Sequence, residues 1–120
     1  MSKMTIPTIS ICFKKPSIRI YKDTLHLIGD PSHVLLFINP QESSIIISPS
    51  NSTDAKALYV AKYLAKDKKS IELYSTFLIQ QLKKICDKFQ NENSYRIYGE
   101  YIQKEDIVKF NMSQSVEIKK

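Results

Sequence analysis

Apolar residues along this chain come in short runs that alternate or break within a few positions, and only one stretch spaces them as a long helix would. In that stretch Phe77, Leu78, Leu82, Ile85, Cys86 and Phe89 recur at three- and four-residue steps, which gathers side chains on one helical face. Ser75 or Thr76 caps this helix and Asn91–Ser94 ends it. Everything else reads as strand, turn or very short helix. A chain patterned in this way must bury its apolar side chains by pairing short strands, because one helix cannot enclose a core alone.

The strands follow from period-two alternation. Thr5–Phe13 alternates imperfectly, and Pro16 breaks it after Lys14-Lys15. Ser17–Tyr21 restarts the pattern, with Ile18 and Ile20 on one face and Arg19 and Tyr21 on the other. Asp23-Thr24 is expected to cap a short helix, Leu25–Ile28, that stops at Gly29 before Pro31. His33–Ile38 and Ser44–Ser48 form a hairpin around Asn39–Ser43, with Pro49 as its stop. Ala57–Leu64 reads as strand or helical turn and Lys66–Lys69 as a charged turn. Tyr95–Tyr101 and Glu105–Met112 make a second hairpin around Gln103-Lys104, and the tail Ser113–Lys120 holds a last short strand through Val116 and Ile118. The fold class is therefore α+β: small antiparallel hairpins with one short and one longer helix, in a single compact domain over residues 1–120.

An internal repeat of residues 14–50 and 68–113, joined by a polar linker 51–56, runs through this reading. Ser17-Ile18-Arg19-Ile20-Tyr21 is echoed by Ser70-Ile71-Glu72-Leu73-Tyr74, each leading to a capped helix and a hairpin. His33–Ser50 overlays Tyr95–Met112 with Gln41 on Gln103. A competing register sets the same motif against Ser94-Tyr95-Arg96-Ile97-Tyr98, and chance recurrence of common strand residues is the alternative to both.

Ile18-Arg19-Ile20, the capped Thr24–Gly29, Val34–Ile38 and Ile45–Pro49 together resemble the AbrB-like, or swapped-hairpin, DNA-binding domain. The likeness covers about 35 residues of the first half; the second half keeps the order of elements but has no counterpart of Gly29. In that family two copies interleave into one small barrel, from two chains or, in MraZ-like proteins, from tandem repeats. The resemblance implies such a barrel, or a homodimer of it, with basic residues on and beside the first strand facing DNA. Here those are Lys14, Lys15, Arg19 and Lys22, with Lys68 and Lys69 ahead of the second copy. Glu72 stands where Arg19 has its counterpart.

Charge agrees with an anionic partner: net +6 and a pI near 9.3 favour duplex DNA, with a host protein as the other candidate. Further lysines, Lys62 and Lys66 near Lys68, and Lys83, Lys84 and Lys88 on the helix, read equally as solubilising surface. Arginine is the better base reader because its fork meets guanine edges bidentately, and the chain has only Arg19 and Arg96. The tyrosines of the second half (Tyr59, Tyr63, Tyr74, Tyr95, Tyr98, Tyr101) suit packing or a protein interface better than stacking on single-stranded bases.

Catalysis finds little purchase. With Gly29 and Gly99 isolated, no phosphate-cradling loop can be built, and there is no Gly-x-Ser-x-Gly elbow. His26, His33 and Asp30 flank one turn without the paired spacing of a zinc site. Cys86 falls on the apolar helix face, Cys12 is far from it in sequence, and both read as free thiols. Glu105-Asp106 are adjacent acids at a turn. No enzyme activity, cofactor or metal is expected. The start Met-Ser-Lys lacks the apolar run of a secretory leader, which points to the cytoplasm. Lysine, isoleucine and asparagine are abundant, as in AT-rich genomes. Together these point to a dimeric DNA-binding regulator of a phage or mobile element. The alternative is a small phage-encoded protein inhibitor of a host or defence enzyme.

Overall fold

Alternation along the chain becomes a curled antiparallel sheet whose concave side is closed by isoleucines. The structure, a computed structural model, describes residues 5–61, 68–86, 89 and 93–118. Its elements are β1 (Thr8–Cys12), β2 (Ser17–Tyr21), α1 (Lys22–Leu27), β3 (His33–Asn39), β4 (Ser44–Ser50), β5 (Leu58–Tyr59), β6 (Ser70–Tyr74), α2 (Thr76–Ile85), β7 (Ser94–Ile102), β8 (Ile107–Asn111) and β9 (Val116–Ile118). The sheet order is β5-β3-β4-β8-β7-β1-β2-β6, with β9 also on β7, and every pairing is antiparallel. The fold is thus α+β, with two α-helices against antiparallel strands among the described residues.

β7 makes the sheet curl. Its first half pairs with β1 and its second half with β8, so one long strand belongs to both wings. Gly99 sits at the changeover, where an added Cβ would lie 2.6 Å from the Phe110 ring and 2.8 Å from the Lys109 carbonyl oxygen. Only a residue without a side chain lets the wings close so tightly. Ile9, Ile11, Ile18, Ile20, Ile97 and Phe110 fill the concave side at 1% exposure or less. Each large apolar side chain buried in this way contributes about 1.5–3 kcal/mol. Phe13, Phe89 and Tyr95 form an aromatic trio with centroids 4.9–5.9 Å apart, tying the β1–β2 turn to the chain beyond α2.

The helices differ from expectation in instructive ways. α1 begins at Lys22, with Tyr21 as N-cap and no side-chain cap. Asp23 and Thr24 lie inside its first turn. Thr24 is fully buried, and its hydroxyl accepts from Thr8 N (2.8 Å) and donates to Thr8 O (2.9 Å), so a strand partner replaced the local cap. Gly29 ends the turn at φ +84°, as anticipated. Ser75 does cap α2, accepting from Leu78 N at 3.1 Å. Its buried residues, however, are Ile79 and Leu82, it ends at Ile85 with Cys86 already extended, short of the expected reach through Phe89, and Phe77 is 73% exposed.

Pro49 does not stop β4: it pairs with Val34 inside the strand. β8 covers β4 only over Ser44–Ile47, so the proline falls where one edge has no ladder to break. β5 keeps two residues of the ambiguous Ala57–Leu64 segment; the remainder from Lys62, with the first part of the charged turn, lies outside the described residues. So do Tyr63, Lys88, Asn91 and Glu92, while Ser94, expected at the helix end, opens β7.

Strand–strand–helix–hairpin occurs twice in this order, as β1-β2-α1-β3-β4 and β5-β6-α2-β7-β8. The two sets interleave, for β1 pairs with β7 and β5 with β3. Both remaining pairings between the sets are symmetric. Around Arg19–Glu72, Ser17–Tyr74 is matched by Tyr21–Ser70; around Ile46–Lys109, Ile45–Phe110 is matched by Ile47–Val108. The hairpin overlay slips by one residue from the sequence-based one. Asn39–Ser44 corresponds to Ile102–Ile107, so Gln41 falls on Lys104, and the left-handed residues Ser43 (φ +50°) and Asp106 (φ +54°) coincide. Register follows which face is buried, not the identity of turn residues.

Candidate nucleic-acid interface

Because Ile18 and Ile20 point inward, β2 must present Ser17, Arg19 and Tyr21 on the convex face. Pairing then builds rows across that face. Arg19 and Arg96 both lie opposite Ser10; Ser17 and Ser94 lie opposite Cys12; Tyr98 lies opposite Thr8. The two arginines of the chain are therefore separated by a single strand.

Arg19 has a side chain 44% exposed, 3.5 Å from the Glu72 carboxylate, and donates to Ser70 Oγ at 3.1 Å. Glu72 also accepts from Tyr74 Oη (2.8 Å) and Ser17 Oγ (3.0 Å). The Tyr74 hydrogen bond is the chief reason the Glu72 carboxyl titrates below its usual range; partial burial opposes it, and Ser17 and Arg19 add to it. Arg96 is held by hydrogen bonds to Tyr98 and Tyr21, which raise its pKa against some burial. Its Nε has no hydrogen-bond partner among the described residues. Tyr21 Oη in turn bonds Ser10 Oγ at 3.0 Å, so the guanidinium sits on a braced platform.

The lysines fall at the two ends of β2. Lys14 and Lys15 are exposed in the turn from β1 and help line a hollow of about 400 Å³ with Cys12, Ser17 and Arg19. At the far end the Lys22 amide donates to the Lys69 carbonyl at 2.8 Å, and both side chains border a hollow of about 290 Å³ with Tyr21 and Asp23. Lys68 and Lys69 are exposed and join Arg19 around a larger groove of about 740 Å³ along β6. The five residues of β2 that lie between the two lysine groups span roughly 14 Å from Ser17 to Tyr21. All six residues singled out from the sequence thus border one convex surface, with Glu72 and Asp23 as acids within it. Lys62, Lys66 and Lys88 lie outside the described residues, and Lys83 and Lys84 are on α2.

Arg96 was not among those six. Its signal was the competing register, Ser-Tyr-Arg-Ile-Tyr, which in three dimensions is not a counterpart of β2 but the first part of β7, the strand on the other side of β1. Cys12 is a second addition. Burial raises its pKa, but hydrogen bonds from Ser94 and from the Lys15 and Lys14 amides outweigh this and lower it overall. The Lys15 N–H lies 3.5 Å from Sγ.

The other candidates are dispersed. His26 Nδ1 is bonded to the Asp30 carboxylate. His33 bonds Ser32 Oγ at 2.8 Å and meets the Tyr59 ring edge-on at 5.3 Å. Among the described residues no three potential metal ligands gather. Cys86 is buried in the core, and Tyr101 donates to Asp106 at the second hairpin turn. No described helix is long and apolar enough to cross a membrane. Comparison of the chain with protein-family models, with curated proteins and with solved structures finds no match.

Proposed function

We propose that this is a non-enzymatic, duplex-DNA-binding regulatory protein of the swapped-hairpin type, encoded by a phage or mobile element and acting in the cytoplasm. The observation that carries the reading is the convex row Arg19–Ser10–Arg96 with lysines at both ends of β2. Lys14 and Lys15 at one end, and Lys22, Lys68 and Lys69 at the other, neutralise phosphates. Arg19, more loosely held than Arg96, is the residue to reach a base edge. Glu72 keeps Arg19 extended across β6 until a phosphate or base replaces it. The interleaving of β1 with β7 and β5 with β3 supports both the duplication and the AbrB-like resemblance. Two interleaved units in one chain supply the barrel without a second molecule, and a homodimer would double the basic face.

Size-exclusion chromatography with light scattering, with and without a random duplex at low salt, tests binding and oligomeric state together. The wild-type protein should retain the duplex. Arg19→Ala combined with Arg96→Ala and Lys15→Ala should lose it while keeping the wild-type circular dichroism spectrum. No retention by the wild-type protein at low salt would sink the reading.

A protein-interaction inhibitor of a host or defence enzyme is the second reading. It is favoured by the exposure of Tyr59, Tyr74 and Phe77 at 56%, 65% and 73%, since aromatic side chains are the usual anchors of protein interfaces. Stoichiometric co-purification of one host protein, insensitive to nuclease, would decide for it.

A further inference from the structure

β2 and β6 are counterparts whose far edges are treated differently. Lys22 N donates to Lys69 O at 2.8 Å and Ser75 N to Pro16 O at 2.9 Å, which sets the phase of the β2–β6 ladder. Alternate residues of an antiparallel strand turn their peptide groups to the same side. Lys69, Ile71 and Leu73 therefore turn theirs toward β2, and Ser70, Glu72 and Tyr74 turn theirs away. The matching residues of β2, Ser17 and Arg19, face β1 and are paired by it. Among the described residues no strand pairs with β6 on its outward side. β5, the counterpart of β1, pairs among the described residues with β3 alone, through Leu58 and Tyr59.

The space between β5 and β6 is the groove of about 740 Å³ bordered by Arg19, Tyr59, Lys68 and Lys69. It shares Leu73 and Tyr74 with a second hollow of about 250 Å³, walled by Leu36, Leu58, Leu78 and Lys56. One side of the β6 edge is thus apolar and the other cationic. The Glu72 carboxylate is already engaged by Arg19, Ser17 and Tyr74, and the exposed Lys68 and Lys69 give the groove its positive charge.

We propose that the β6 edge accepts an extended, acidic segment of a partner protein as an added antiparallel strand. Outward N–H and C=O groups at period two are the complement of a peptide backbone, whereas a nucleic-acid strand would set its phosphates against the carbonyls. A second copy paired about Glu72 would place two carboxylates opposite each other, which disfavours it. Apolar guest side chains would meet Leu58, Leu73 and Leu78, and alternate acidic ones the lysines. The proposal does not rest on DNA binding.

The probe is a short fluorescein-labelled peptide alternating glutamate with valine, compared with its lysine–valine counterpart by fluorescence anisotropy. Wild-type protein should bind the first and not the second. Glu72→Ala keeps the outward N–H and should bind at least as well. Glu72→Pro removes that N–H without touching the β2 ladder and should weaken binding about tenfold. Circular dichroism and thermal melts check folding; Ser70→Pro, equally outward-facing, serves if Glu72→Pro does not fold. The proposal is overturned by no binding of the glutamate peptide, by equal affinity for the lysine peptide, or by equal affinity of the alanine and proline variants. A wild-type dimer that dissociates on proline substitution would also overturn it, by assigning the edge to a second copy.

Discussion

Arg19 and Arg96 stand opposite the same residue, Ser10, from the two sides of β1. Two strand spacings put their Cα atoms about 10 Å apart. Ser17–Tyr21 and Ser94–Tyr98 therefore run parallel to each other as matched rails, and the recurrence of Ser-x-Arg-Ile-Tyr along the chain is a recurrence across one face. The rails differ in what holds the arginines. Arg96 is braced by two tyrosines, while Arg19 leans on Glu72 and Ser70.

Lysines that neutralise phosphate reveal themselves through salt. Replacing Lys14 and Lys15 by alanine should flatten the slope of log affinity against log salt concentration by about 0.9 for each phosphate no longer neutralised. Titrations of a labelled duplex at several salt concentrations measure it, and an unchanged slope would remove this turn from the interface.

Glu72 links the arginine to stability through pH. Its folded pKa lies below the ordinary value of 4.5, so its stabilising effect is fully present above that value and is lost as pH falls through the lowered one. Glu72→Gln should cost on the order of 1 kcal/mol near neutrality, since the pair is partly exposed. The gap between variant and wild-type melts should close in acid below 4.5. A gap that stays constant with pH would show that charge is not what Glu72 contributes.

Gly99→Ala brings a methyl group within 2.6 Å of the fully buried Phe110 ring and 2.8 Å of a backbone oxygen. The oxygen cannot swing aside as a side-chain end would. Destabilisation of about 1–3 kcal/mol is expected from chemical denaturation, and a neutral result would mean that β7 does not hold the two wings so close.

Cys12 and Cys86 should react very differently. The lowered pKa of Cys12 predicts alkylation by iodoacetamide with a pH midpoint below 9.0, followed by mass spectrometry. Ser94→Ala, which removes one lowering hydrogen bond, should move that midpoint upward. Cys86, buried in the core, should label only on unfolding; comparable rates for both thiols would contradict this placement.

Much of the local structure was legible because it depends on neighbours within a few residues. Alternation alone sorted Ile18 and Ile20 from Arg19 and Tyr21, Ser75 announced α2, and Gly29 marked the end of the first turn. The two hairpins were readable from their turns to within a residue or two. Errors arose where a distant strand intervened. Thr24 left its capping role for Thr8, Pro49 was accommodated because β8 stops short of it, and Phe77 turned outward because the core lies against Ile79 and Leu82.

For the candidate site, residue type and spacing selected Lys14, Lys15, Arg19, Lys22, Lys68 and Lys69, since a strand's period decides which side chains point away from a core. Period cannot decide which strand lies beside which. That Arg96 joins Arg19 across Ser10, that Glu72 faces Arg19, and that among the described residues no strand covers the outer edge of β6 all follow from pairings between segments dozens of residues apart. Those pairings were chosen by the burial of Ile9, Ile11, Ile18, Ile20 and Ile97 in one core, a cooperative outcome that no single segment encodes.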